Sequence, residues 1–157
     1  MHPNAELISR FYAALGRRDA AGMAACYHAE STFSDPVFGA LDHDAAVAMW
    51  RMLCERGKDL AVAASDIRAD DAVGRAHVEA TYTYTATGRH VLNRIDASFA
   101  FRDGRILRHD DRFDLYRWMR QALGIPGVLA GWFPPVQEAL RSRAAAQLAR
   151  YRQRAPA

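Results

Sequence analysis

The chain has 157 residues, 50% of them hydrophobic and 25% charged, with a formal net charge of +3. That composition excludes a disordered segment, and the length suits one domain that buries its own core without disulfides or a structural metal. The two cysteines, Cys26 and Cys54, stand at no metal-ligand or C-x-x-C spacing and read as small buried thiols of a reducing compartment.

No apolar run approaches the roughly 20 residues of a membrane span. The opening "MHPNAELISRF" lacks the basic start, apolar run and small-residue cleavage site of a secretory signal, so the expectation is a soluble, cytoplasmic protein. The charge is unevenly placed: residues 1–115 hold 14 Arg or Lys against 17 Asp or Glu, whereas residues 116–157 hold seven Arg against one Glu. No aromatic-plus-basic motif accompanies the arginines, and nucleic acid is not an expected partner.

In chain order, Asn4 is a candidate N-cap, and Leu7, Ile8, Phe11, Tyr12 and Leu15 recur at helical spacing, which predicts a helix over 4–17. Asp19 can cap a short second helix running through Met23 to Tyr27. "STFSDPVFG" predicts a short strand stopped by Pro36 and Gly39; with Phe33 in the core, Asp35 shares the inward face. Asp42 or Asp44 opens a third helix, with Trp50 on its apolar side and Gly57 past its end.

The period then changes to two. Residues 60–69 predict one long strand, 73–87 a second with Val78, Ala80, Tyr82 and Tyr84 on one face, and 90–101 a third with Val91, Asn93, Ile95, Ala97 and Phe99 on one face. Gly88-Arg89 suits a two-residue turn between them. In "ILRHDDRFDLYRW" the even positions Ile106, Arg108, Asp110, Arg112 and Asp114 are nearly all charged and belong outside. A three-residue loop at Arg102-Asp103-Gly104 sets Leu107 beside Phe99 and carries His109 and Asp111 onto the apolar face; a two-residue Asp-Gly turn would bury the arginines instead. The predicted fold is α+β, a curved antiparallel sheet wrapped over about three N-terminal helices, with a C-terminal helical extension.

"RFYAALGRRDAAGMAACYHAESTFSDPVFG" and "TGRHVLNRIDASFAFRDGRILRHDDRFDL" resemble the superfamily of nuclear transport factor 2, ketosteroid isomerase, limonene-epoxide hydrolase and SnoaL-like polyketide cyclases. The resemblance covers about residues 4–115 and implies a cone-shaped sheet, a cystatin-like barrel, over a small-molecule pocket, and a homodimer. It places Asp35 of "DPVFG" at the isomerases' proton-shuttling base and Asp111 of "DRFDL" at one of the hydrolases' two catalytic aspartates. It also implies departures. Phe11 stands where the isomerases have an oxyanion-donating tyrosine, with Tyr12 adjacent; Ala97 stands at their second donor. His77 and Glu79 occupy the strand from which the hydrolases present an inward arginine.

Two classes of function follow. In the first, the chain is a cofactor-independent enzyme acting on an apolar small molecule by isomerisation, cyclisation or epoxide opening. Asp35 would be the base, its pKa raised by an apolar wall; Asp111, if protonated, would donate to the oxygen gaining charge, with His109 as the third catalytic candidate. Tyr12, Trp50, Tyr82, Tyr84 and Asn93 are the candidate ligand contacts. In the second, a non-catalytic binding or interaction module, Asp35 caps a turn and Asp111 satisfies a structural network. No two histidines stand at ligand spacing and no phosphate-binding glycine loop occurs, so neither a metal nor a nucleotide cofactor is expected.

Residues 116–157 lie beyond the family body of residues 1–115. "ALGIPGVLAGWFPP" is apolar and broken by glycine and proline, suited to closing over a pocket mouth or a neighbouring subunit. From Pro135, the positions Val136, Ala139, Leu140, Ala144, Gln147, Leu148 and Tyr151 trace a helical stripe expected to dock on the same body or a dimer partner. Contact of this basic helix with an anionic membrane is the less favoured alternative.

Overall fold

The computed structural model describes residues 1–154. Helix α1 (Pro3–Gly16) buries Leu7, Ile8, Phe11, Tyr12 and Leu15, the stripe its spacing predicts. Its N-cap is His2 rather than Asn4: the His2 Nδ1 accepts the Asn4 N–H at 3.0 Å, which leaves the Asn4 amide to donate to the Asp70 carbonyl. Helix α2 (Ala20–Cys26) is capped by Asp19, and α3 (His43–Arg56) by Asp42, which accepts from Ala45 N. Tyr27, expected at the end of α2, instead opens a nine-residue strand β1 (Tyr27–Asp35), and β2 (Gly39–Leu41) folds back on it.

Strands β3 (Ala61–Ala69), β4 (Val73–Tyr84), β5 (Arg89–Arg102) and β6 (Arg105–Arg112) complete one six-stranded curved sheet in the order β2-β1-β6-β5-β4-β3. Strand β1 runs parallel to β6, so the sheet is mixed rather than antiparallel throughout. The main core lies between this sheet and helices α1 and α3.

Both hairpins turn differently from the expectation, yet the faces are kept except before the bulge in β6, where Ile106, expected outside, lies in the core. At β4–β5, Tyr84 pairs with Arg89 across a four-residue loop, 85–88, in place of the two-residue Gly88-Arg89 turn. Gly88, at φ +72°, donates its N–H back to the Tyr84 carbonyl. The register moves by an even number, so Tyr82 still faces the same way as Val91, and Ala80 as Asn93.

At β5–β6, Arg102 pairs with Arg105 across a two-residue Asp103-Gly104 turn, both residues at positive φ. Continued regularly, that pairing would set Arg108 against Phe99 and bury it. The ladder shifts instead: Phe101 pairs with Ile106 and Ala100 with Arg108, leaving Leu107 as a β-bulge. His109, not Leu107, therefore lies opposite Phe99, and Asp111 lies opposite Ala97. Ile106 and His109 are both fully buried, whereas Arg105, Arg108 and Arg112 are exposed.

Three helices follow: α4 (Leu115–Leu123), capped by Asp114, then α5 (Ile125–Ala130) and α6 (Pro134–Arg154). Leu140, Ala144 and Leu148 are the buried residues of α6, which lies against α3. The Tyr151 hydroxyl donates to Glu55, and the Arg141 guanidinium to the Pro36 carbonyl. None of the helices among the described residues is long and apolar enough to cross a membrane.

Candidate active site

A cavity of about 220 Å³ opens between the concave face of the sheet, helices α1 and α3, and the α4–α6 cap. It is lined mainly by apolar side chains, and Asp35 and Asp111 both reach it. Tyr12, Trp50, Tyr82, Tyr84 and Asn93 line it as well. His109 does not. It is fully buried behind Asp111 and meets the site through that residue and Tyr12.

Asp35 ends β1, where Pro36 stops the strand. One carboxylate oxygen, Oδ1, accepts the backbone N–H groups of Val37 at 2.8 Å and Phe38 at 2.6 Å. The turn-capping role and the cavity position therefore coexist in one side chain. Burial raises this carboxyl from 3.8 to about 6; the Phe38 N–H opposes the rise, the Asp111 charge adds to it, and Val37 and His109 oppose it.

Behind Asp111 runs a relay of hydrogen bonds. The Trp50 indole donates to the Tyr27 hydroxyl at 2.9 Å; that hydroxyl lies 2.9 Å from His109 Nδ1; and His109 Nε2 lies 2.8 Å from Asp111 Oδ1. An indole N–H can only donate. Tyr27, occupied as acceptor, then has its own hydrogen to give, and the buried partner within reach is His109 Nδ1. A neutral imidazole that accepts at Nδ1 carries its hydrogen on Nε2, so Asp111 Oδ1 is the acceptor at the end of the chain. The imidazole stacks on Phe99, with ring centres 4.5 Å apart, and meets the edges of Phe33 and Phe11.

Tyr12 reaches within 3.4 Å of His109 Nε2, and burial, reinforced by the Asp111 charge, raises its phenol well above the ordinary value. Its neighbour Phe11 is fully buried, so Tyr12 is the hydroxyl that α1 offers to the cavity. On the opposite wall the Trp118 indole donates to Tyr82 Oη at 2.6 Å, leaving the Tyr82 hydrogen for a ligand. Burial pushes Tyr82 up to about 12, opposed by the Trp118 bond and aided by the Asp35 charge. Tyr84 packs its ring against Trp118, and the Asn93 amide has no side-chain partner among the described residues. Among the same residues, no three His, Cys, Asp or Glu side chains gather as a metal site.

Sequence reasoning missed two groups. Tyr27, the centre of the relay, was assigned to the end of a helix, where no pattern marked it as inward. Trp118, Leu140, Arg143 and Gln147 close the cavity from α4 and α6. Leu140 and Gln147 belong to a stripe that signals a docked helix but not which surface receives it; Arg143 lies off that stripe, and α4, which carries Trp118, is not expected from the sequence.

Known proteins share this fold. An NTF2-like protein from Burkholderia pseudomallei is 20% identical, with a TM-score of 0.68 over 78% of this chain and 98% of that one. An epoxide hydrolase of the limonene-epoxide-hydrolase-like type from Mycobacterium tuberculosis is 20% identical, with a TM-score of 0.65 over 84% and 96%. A polyketide cyclase candidate from Xanthomonas campestris is 21% identical, with a TM-score of 0.64 over 76% and 96%. At these identities the likeness establishes the fold. No curated protein sequence matches the chain. Residues 8–109 match the model of the SnoaL-like domain, more than half of the sequence, and the chain belongs to that family.

Proposed function

We propose that the chain is a cofactor-independent enzyme performing general acid–base chemistry on an apolar small molecule, with Asp35 and Asp111 as the proton-transferring pair. The observation that carries this reading is the convergence of two carboxylates, from β1 and β6, on one largely apolar cavity. The epoxide hydrolase and the cyclase candidate that share the fold support the class of chemistry.

The relay argues for roles opposite to those expected from the sequence. Asp111, accepting a hydrogen from His109, is the carboxylate that takes a proton from a carbon beside a carbonyl or from a water. Asp35, with a carboxyl near 6, holds a proton often enough at neutral pH to return it to the oxygen gaining negative charge. The Tyr82 hydroxyl and the Asn93 amide are the neutral donors available to that oxygen.

The test is a panel of apolar ketones and epoxides in D2O, followed by NMR for α-proton exchange and diol formation. Turnover that falls about 100-fold or more in both Asp35→Asn and Asp111→Asn supports the reading. The second reading, a binding module, is favoured by one fact: Oδ1 of Asp35 already caps a turn. Ligand binding by wild type and both variants, with no exchange or opening in any of them, would establish it.

A further inference from the structure

Helix α5 reverses the usual arrangement of a surface helix. Toward the body it presents glycine: a Cβ on Gly127 would collide with the Met119 carbonyl of α4, and one on the C-cap Gly131 would come within 3.1 Å of the Met119 side chain. Outward it presents Ile125, Val128 and Leu129, followed in the next turn by Trp132 and Phe133, at 75, 48, 70, 61 and 47% exposure. Elsewhere among the described residues only Met1 and Val73 are large apolar side chains left so open. Isolated exposed apolar residues need no explanation, whereas five within nine positions form a patch of the kind that marks an interaction surface.

The patch is held rather than frayed. Tyr116 on α4 donates its hydroxyl to the Val128 carbonyl at 2.9 Å, and the Trp132 indole donates to the Leu129 carbonyl at 3.0 Å. That internal bond leaves Trp132 no unsatisfied donor, so its ring can enter an apolar medium. Two guanidiniums flank the patch. Arg120 lies 4.9 Å over the Tyr116 ring, and Arg89 packs against Gly124 while donating to the Gln121 carbonyl. Neither makes an ion pair among the described residues, and no acidic residue occurs from 116 to 133.

We propose that α5 and the turn after it form an apolar knob that inserts into an anionic lipid surface. Side chains this exposed project from a convex surface, which suits a bilayer that needs no complementary groove. A second copy of the chain would bring convex against convex and arginine against arginine. The knob is mounted between α4 and α6, which supply Trp118 and Leu140 to the cavity wall. Insertion therefore sets the cavity's cap at the interface where apolar molecules partition.

The test floats full-length protein with phosphatidylcholine vesicles, with and without a quarter of phosphatidylglycerol. Wild type floats with the anionic vesicles, and high salt weakens the association. The Leu129→Ser/Trp132→Ser double variant stays behind, and Arg120→Gln lowers the partition about fivefold. Trp50 and Trp118 are buried, so a blue shift of emission on adding vesicles reports Trp132. Thermal melts of the variants, which alter exposed positions, match wild type. Wild type that does not float with anionic vesicles overturns the proposal, as does a double variant that floats equally well. Self-association, or capture of an acidic peptide, that depends on these residues in the absence of vesicle binding would reassign the patch to a protein partner.

Discussion

His109 Nε2 lies 2.8 Å from Asp111 Oδ1, and on the other side of the ring the Tyr27 hydroxyl, which cannot give its hydrogen to the Trp50 indole, has Nδ1 as its acceptor. The consequence is measurable. Long-range 15N–1H correlation on wild type at neutral pH should show His109 as the neutral tautomer protonated at Nε2. Trp50→Phe removes the indole but leaves Tyr27 its own hydrogen and Asp111 its acceptor oxygen, so the same tautomer is expected there. An Nδ1–H signal in the wild type would reverse the relay and return Asp111 to the role of proton donor.

Asp35 should make stability fall with rising pH in a defined window. Its folded pKa, about 6, lies above the ordinary 3.8, so the folded form binds the proton more tightly than the unfolded chain. The stabilisation from the neutral carboxyl is complete below pH 4, declines between about pH 4 and 6, and is gone above. After allowance for partial solvent access, the charged group costs roughly 2 kcal/mol at neutral pH. Asp35→Asn keeps an acceptor for the Val37 and Phe38 N–H groups and carries no charge. Urea denaturation from pH 4 to 7 should show the variant gaining on wild type across that window. Parallel curves would place the carboxyl near its ordinary value.

Tyr82 links stability to binding through a single oxygen. In Tyr82→Phe the Trp118 indole, buried under α4, loses its acceptor. An unsatisfied buried donor costs about 1–3 kcal/mol, visible as a lower urea midpoint with an unchanged slope. The Trp118→Phe/Tyr82→Phe pair removes both partners and should recover part of the loss. If the single change is neutral, the indole has found another partner and the wall of the cavity has moved.

Faces were legible in the sequence where registers were not, and the reason is the period of two. Tyr82, Asn93, His109 and Asp111 read as inward although the register expected for each hairpin differs from the observed one. The difference is four positions at β4–β5 and two beyond the β6 bulge, and even shifts leave faces untouched; before the bulge it is one, and there Ile106 faces the core against expectation. The parallel pairing of β1 with β6 left no local trace, since it joins segments some 75 residues apart, such as Phe33 with His109. The relay was hidden for the same reason: Tyr27, Trp50 and His109 meet only through that pairing and α3. The α6 stripe was visible at Leu140, Ala144 and Leu148, but the surface it covers is a property of the assembled sheet.

Leu107 tests how the inward acids are set. Its bulge absorbs the one residue by which the tight Asp103-Gly104 turn would otherwise put Arg108 in the core. Deleting Leu107 leaves Phe101 opposite Ile106 and Ala100 opposite Arg108 in an unbroken ladder, with His109 and Asp111 still inward. The loss is that of one half-buried leucine and of the local bend, about 1 kcal/mol. Deleting Asp110, three positions on, is a different operation. It turns Asp111 out and brings Arg112 onto the apolar face, so His109 loses its acceptor and an unpaired cation is driven into the core. The shorter chain lacking Leu107 should therefore fold cooperatively with the His109 tautomer of wild type, and the one lacking Asp110 should not fold. Equal damage from the two deletions would mean that the bend at Leu107, and not the phase it restores, is what the site requires.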